Sequence, residues 1–141
     1  MNNIDILYEI EKEPILFEFD RYDGMSTLYI RKYNENKFFL YFWYNQDYNK
    51  KTEKSINEYM VVELNYKDLE DISLKKYPLL HFFKTRDIYM EIDICYCFIE
   101  NRNLKYEKYN LDDNYIMSND YVLEEIEELK LYLMKNKVNK F

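Results

Sequence analysis

The sequence predicts an α+β fold: an antiparallel sheet of five to seven strands that opens with an N-terminal meander, plus a short mid-chain helix and a C-terminal helix packed on one face. Three observations support this class: apolar residues alternate with period two in several segments, short turn signals separate those segments, and the C-terminal segment has helical spacing. With 141 residues, 48% hydrophobic and 33% charged, the chain suits a single domain over 1–141.

The first two strands are marked by alternation and by a turn. In "PILFEFDRY" (14–22), the residues Ile15, Phe17 and Phe19 alternate with a more polar set, which is typical of a strand with one buried side. Asp23-Gly24 then provides a two-residue turn, because glycine adopts positive φ readily, and "STLYIRKY" returns as the second strand. The turn "NEN" (34–36) extends this hairpin into a meander.

The third strand is the segment "KFFLYFWYN" (37–45), which is apolar on both of its faces. A strand of this kind is predicted to lie inside the sheet with both faces covered. The alternative is that one face, carrying Phe39, Tyr41 and Trp43, is an exposed binding surface. Stacking on nucleic-acid bases is disfavoured, because it normally accompanies a positively charged groove and this chain is acidic.

The middle of the chain contains a fourth strand, a helix and a long strand. "EYMVVELN" follows a polar loop, and Asn65 or Asp68 is positioned to cap the helix "YKDLEDISL". The apolar segment "PLLHFFK" has no dominant hydrophobic period, so it is assigned to neither a helix nor a strand. The segment 87–100 is predicted to be one strand, with "LKYEKYN" (104–110) as its partner across an "ENRN" turn. Its outward-facing residues are predicted to be Tyr89, Glu91, Asp93, Cys95 and Cys97.

The last element is predicted to be a helix that begins after Ser118 or Asn119, either of which can cap it. Spacings of four, three and four place one apolar stripe on the sheet, formed by Val122, Ile126, Leu129 and Leu133. Acidic residues near the start and lysines near the end match the helix dipole.

The segment from "PILFEFDRYDGMSTLYIRKYNENKFFLYFW" to "EYMVVELNYKDLEDISLKKYPLLHFF" resembles a family of small bacterial domains of unknown function. The shared pattern is an early "LF" strand, a hairpin, a strand ending in a valine pair, a short "ISL" helix and an apolar connector, over about residues 14–83. This resemblance implies a fold and brings no catalytic residues.

Charge and composition exclude several functional classes. A formal net charge of −7 repels nucleic-acid backbones, so direct nucleic-acid binding is not expected. No apolar run approaches the roughly 20 residues of a membrane-spanning helix, and the N-terminus lacks the features of a signal peptide. Two cysteines without a disulfide framework suit the reducing cytosol, so we expect a cytoplasmic protein.

Catalytic chemistry finds little support in the sequence. The single glycine excludes the familiar phosphate-binding loops, and His81 lies among apolar residues with no partner for a nucleophile. We predict no cofactor and favour a non-enzymatic function. The alternative is a small metal- or ligand-binding, enzyme-like domain built from the only convergent polar set that the pattern allows: Glu91, Asp93, Cys95, Cys97 and His81.

The strongest remaining signal is a run of acids and tyrosines around the start of the last helix. Between Leu111 and Leu129 there are seven acidic residues and no lysine or arginine. Tyrosine anchors interfaces, and a field of one sign steers a partner of opposite charge. We predict a non-enzymatic module that binds a basic protein as a stoichiometric inhibitor of a nucleic-acid-handling enzyme, either a phage anti-defence protein such as an anti-CRISPR or an immunity protein against a toxin nuclease. The predicted contacts are Asp112, Asp113, Tyr115, Asp120, Tyr121, Glu124, Glu125 and Glu128. A solvated helix face is the competing explanation.

Overall fold

A computed structural model describes residues 2–22, 24–51, 54–93, 97–101 and 119–139, with the backbone alone for 45–49, 54–56, 92–93, 97–101 and 137–139. The elements follow in the order α1 (Asn3–Ile10), β1 (Phe17–Tyr22), β2 (Met25–Asn34), β3 (Lys37–Asn49), β4 (Lys54–Leu64), α2 (Tyr66–Ser73), α3 (His81–Thr85), β5 (Tyr89–Asp93), β6 (Cys97–Asn101) and α4 (Asp120–Asn139). The α+β class is therefore confirmed.

The described strands form one six-stranded antiparallel sheet whose spatial order is the chain order, β1 to β6. The predicted meander is confirmed at both of its turns. Gly24 has a φ of 78°, which glycine adopts without strain, and it joins Tyr22 to its cross-strand partner Met25. At the second turn, the Asn36 backbone N–H donates to Asn34 Oδ1 at 2.9 Å.

Residues 38–41 of the aromatic strand β3 are buried on both faces, as the interior interpretation predicts, whereas Trp43 is half-buried. Phe38 and Leu40 point into a core shared with α2, α3 and α4, whereas Phe39 and Tyr41 point into a second core beneath α1. All four side chains are fully buried. Burial of each large apolar side chain contributes about 1.5–3 kcal/mol, so β3 is a major source of stability for both cores.

The mid-chain and C-terminal helices cover the same side of the sheet. In α4, the predicted stripe of Val122, Ile126, Leu129 and Leu133 is buried. In α2, Asn65 and Asp68 form a capping box, in which each side chain accepts a hydrogen bond from the other residue's backbone N–H. The predicted packing of both helices on one face is thus observed.

The N-terminal helix α1 is an element that the sequence analysis did not predict. Asn2 caps it by accepting the Asp5 N–H at 2.9 Å, and its residues Ile6, Leu7 and Ile10 cover the second face of the sheet. Asn3 fixes its start by donating to Glu63 Oε1 at 2.8 Å. The sheet therefore has helices on both faces.

The predicted single strand over 87–100 is wrong, because the chain reverses within it. β5 and β6 pair antiparallel, with Asp93 opposite Cys97. Apolar alternation that continues through a turn cannot distinguish one strand from two. Glu91, predicted to face solvent, is only 5% exposed because that side of β5 faces the second core. The segment 104–110, which was predicted to pair with this strand, lies outside the described residues.

Candidate functional site

The first turns of α4 present acidic side chains away from the core. Because Val122 and Ile126 face the sheet, the helical period turns Glu124 and Glu128 outward, and both are exposed. Asn119 begins the helix by accepting the Tyr121 N–H at 2.8 Å on its side-chain oxygen. We call the acidic face the surface formed by Asp120, Tyr121, Glu124, Glu125 and Glu128 of α4 with Glu18 of β1.

Glu18 extends this surface from α4 onto the edge strand β1. One of its carboxylate oxygens accepts the Tyr121 hydroxyl at 3.1 Å, and the other accepts the Ser26 hydroxyl of β2. Arg21 lies on the same strand, with its Nε 3.5 Å from Glu18 Oε1. These contacts fix the position of the Glu18 charge and attach the start of α4 to the sheet.

The carboxylates of the acidic face are close enough to perturb one another. Partial burial raises the pKa of Glu125, and the neighbouring charges of Glu128 and Glu18 raise it further. Burial and the hydrogen bond to Glu18 also raise the pKa of Tyr121, so its hydroxyl stays protonated at neutral pH. A cation brought by a partner would relieve the repulsion at Glu125.

The acidic face ends at the third turn of α4. There, Glu127 is paired with Lys130 at 2.9 Å, so its charge is partly compensated within the helix. Glu127 is therefore not included in the acidic face. Of the predicted contact residues, the structure brings Asp120, Tyr121, Glu124, Glu125 and Glu128 together on one helix. Asp112, Asp113 and Tyr115 lie outside the described residues, and their part in binding stays a prediction.

The alternative polar cluster is not assembled in the part of the chain that the structure describes. His81 belongs to α3, on the face of the sheet that α2 and α4 also cover, and stacks on Tyr77 with ring centroids 4.3 Å apart. Glu91 faces the opposite side of the sheet. Cys95 is outside the described residues, as are the side chains of Asp93 and Cys97. No group of three or more metal-ligating residues occurs among the described side chains.

Sequence reasoning missed a partly exposed aromatic pair on the face of the sheet that α1 covers, where Trp43 packs on the second core. Tyr22, at the end of β1, is 67% exposed and stacks on Trp43 of β3, with centroids 6.3 Å apart and ring planes inclined by 24°. The two residues are separated by a whole strand, so no local pattern reports their contact. The only available signal was the position of Tyr22 next to the Asp23-Gly24 turn, where side chains are commonly exposed.

Searches against known protein families, curated proteins and solved structures found no match to this chain. The resemblance to small bacterial domains accordingly stays a prediction. In the described residues, no helix combines the length and the apolar character needed to cross a membrane.

Proposed function

We propose that this protein is a non-enzymatic binding module whose acidic face docks on a basic surface of another protein. The observation that carries this proposal is the continuity of the acidic face across α4 and β1, with Glu18, Glu125 and Glu128 held near one another. Clustered like charges destabilise a fold slightly, and a partner with lysine and arginine side chains offsets that cost on binding.

The best-fitting class of partner is an enzyme that handles nucleic acids. Such enzymes expose lysine- and arginine-rich clefts for phosphate backbones, and an acidic protein surface can occupy such a cleft and exclude the substrate. Occupation of the cleft by one folded domain makes the inhibition stoichiometric. Two settings follow from the same chemistry: a phage anti-defence protein such as an anti-CRISPR, and an immunity protein against a toxin nuclease.

Affinity capture from the native host, followed by an activity titration, tests this function. The purified protein should capture a basic nuclease or effector, and inhibition of that enzyme should reach its end point at one equivalent. Added oligonucleotide should compete with the inhibitor for the enzyme. The proposal would be contradicted if the protein captured no basic enzyme, or if an excess of the protein left the activity of the captured enzyme unchanged.

The variant that should lose inhibition is Glu124→Lys/Glu128→Lys, because both side chains are exposed on the acidic face. A matched control is Glu9→Lys/Asp87→Lys, which changes the net charge equally at exposed positions outside that face. Equal loss of inhibition in both variants would mean that net charge, and not this surface, determines binding.

A further inference from the structure

The last helix, α4, exposes an apolar pair on the side that faces away from the sheet. Leu131 is 50% exposed and Met134 is 62% exposed, whereas Leu133 between them is buried in the core. Because the helix has 3.6 residues per turn, this exposed side also carries Glu124 and Glu128 of the acidic face. We call this side the outer stripe, and its residues are Glu124, Glu127, Glu128, Leu131, Met134 and Lys135.

The charges of the outer stripe change sign along the helix. Glu124 and Glu128 lie towards its N-terminal end, Lys135 lies towards its C-terminal end, and all three side chains are exposed. Leu131 lies between the two kinds of charge. A surface with this order is complementary to a second copy of itself when the two helices run in opposite directions, as two-fold symmetry requires of such a pair.

We propose that α4 pairs antiparallel with α4 of a second copy of this chain, about a two-fold axis at Leu131. A helix rises 1.5 Å per residue, so Lys135 lies about 6 Å from Leu131 in one direction, and Glu128 and Glu124 lie about 4.5 and 10.5 Å from it in the other. The Lys135 of the second copy is therefore level with the gap between the two glutamates. The helical period places all three residues on the same flank of Leu131, so this charge contact forms twice.

The net charge of −7 on each copy opposes this association. At physiological ionic strength the repulsion is screened over about 8 Å, so charges far from the contact add little to it. The contacts of Lys135 act at shorter range, and the apolar surface of Leu131 and Met134 is removed from water on pairing. One helix of 20 residues offers a small contact area, so the association is weak and depends on the protein concentration.

This inference goes beyond the proposed function, because self-association needs no other protein. It uses Glu124 and Glu128, so a second copy and a basic partner compete for the same carboxylates. Lys135 is not part of the acidic face, and reversal of its charge should weaken self-association without weakening inhibition of the captured enzyme. The two proposals can therefore fail separately.

Sedimentation equilibrium of the full chain over a series of concentrations tests the inference. The apparent mass should rise from that of a monomer towards that of a dimer as the concentration approaches the millimolar range. Lys135→Glu should weaken the association about tenfold, since two symmetry-related attractions become repulsions. The triple variant Glu124→Lys/Glu128→Lys/Lys135→Glu should restore the association, because the charge order is then reversed on both copies.

Lys12→Glu is the matched control, since it changes the net charge equally at an exposed position just after α1, and it should leave the association nearly unchanged. A monomer at every concentration would overturn the proposal. Equal weakening by Lys135→Glu and Lys12→Glu would also overturn it, because net charge alone would then be responsible. An association that Lys135→Glu weakens and the triple variant does not restore would exclude the antiparallel pairing.

Discussion

Lys75 ends α2 in a backbone conformation that L-amino acids disfavour. Its φ is 56°, and the helix closes with hydrogen bonds from the Lys75 N–H to Ile72 O at 2.9 Å and from the Lys76 N–H to Asp71 O at 3.0 Å. This is the Schellman pattern, in which glycine is the preferred residue at the left-handed position. The left-handed conformation of Lys75 is therefore imposed by the way the helix ends, and not by an intrinsic preference of lysine for it.

Lys75→Gly should stabilise the protein. Removal of the left-handed strain outweighs the additional freedom of glycine in the unfolded chain, for a net gain of about 0.5–1 kcal/mol. Urea denaturation, followed by circular dichroism, measures this free energy of unfolding. Lys76→Gly is the control, since its φ is not positive, and it should gain nothing. A loss of stability in Lys75→Gly would show that the lysine side chain contributes more than its backbone costs.

Asp68 joins two parts of the fold through one buried carboxylate. It accepts the Asn65 N–H at 2.8 Å as part of the α2 capping box, and it accepts Arg86 Nη2 at 2.7 Å in a bidentate pair. Its side chain is 7% exposed, whereas that of Arg86 is 34% exposed. Because both interactions converge on one group, its removal affects a helix terminus and an ion pair together.

Asp68→Ala should lower the free energy of unfolding by about 3 kcal/mol, combining a lost cap with an arginine that loses its buried partner. The comparison is Lys130→Ala, which breaks the exposed ion pair of Lys130 with Glu127 and should cost under about 0.5 kcal/mol. Denaturant titration of both variants checks the contrast. Similar small losses in the two would show that the Asp68–Arg86 pair contributes no more than an exposed one.

Glu125→Gln should stabilise the protein at neutral pH by about 0.3 kcal/mol, since it removes a carboxylate that is partly buried and repelled by Glu128 and Glu18. The folded state raises the pKa of Glu125, so this carboxyl takes up its proton in the folded state first as the pH falls. The advantage of the variant should therefore decline through the raised pKa and vanish below the ordinary glutamate value of 4.5. Thermal unfolding across pH measures the stability difference between Glu125→Gln and the wild type, and Glu9→Gln is the control for loss of a charge. A stability advantage of Glu125→Gln that persists at low pH would contradict this cause.

At the level of elements, hydrophobic periodicity predicted the helices and strands whose apolar pattern was long or bounded by clear turns. The α4 stripe spans three turns of helix, and the β1–β2 turn carries Gly24, so both were recognisable from local sequence. The helix α1 has only eight residues, and its burial depends on Phe39 and Tyr41, which are 29 or more positions away in the chain. The β5–β6 reversal was missed because apolar alternation continues on both sides of it.

The contribution of α1 is testable at Leu7, which is fully buried in the second core. Leu7→Ala should lower the free energy of unfolding by about 2–4 kcal/mol, through lost burial and the cavity left against β3. Tyr8→Ala, at an exposed position of the same helix, should cost under about 0.5 kcal/mol. Equal and small effects in denaturant titrations would mean that α1 does not stabilise the second face of the sheet.

At the level of the whole molecule, the sequence indicated the acidic charge and where on α4 it is concentrated. It did not indicate that Glu18 joins that charge, or that Tyr22 meets Trp43, because both contacts depend on how separate elements pack. The sequence pattern also allowed a cluster that includes His81 and Glu91. These two residues are not in contact, because they lie on opposite sides of the sheet.

The central claim is that the acidic face steers the protein onto a basic partner. Its most direct test is the association rate constant with the captured enzyme, measured by surface plasmon resonance at two salt concentrations. Glu124→Lys/Glu128→Lys should associate about tenfold more slowly at low salt and lose most of the salt dependence, since rim charges act mainly on association. Glu9→Lys/Asp87→Lys, with the same net charge, should stay close to the wild type. An unchanged association rate in the first variant, or equal slowing in both, would contradict the claim.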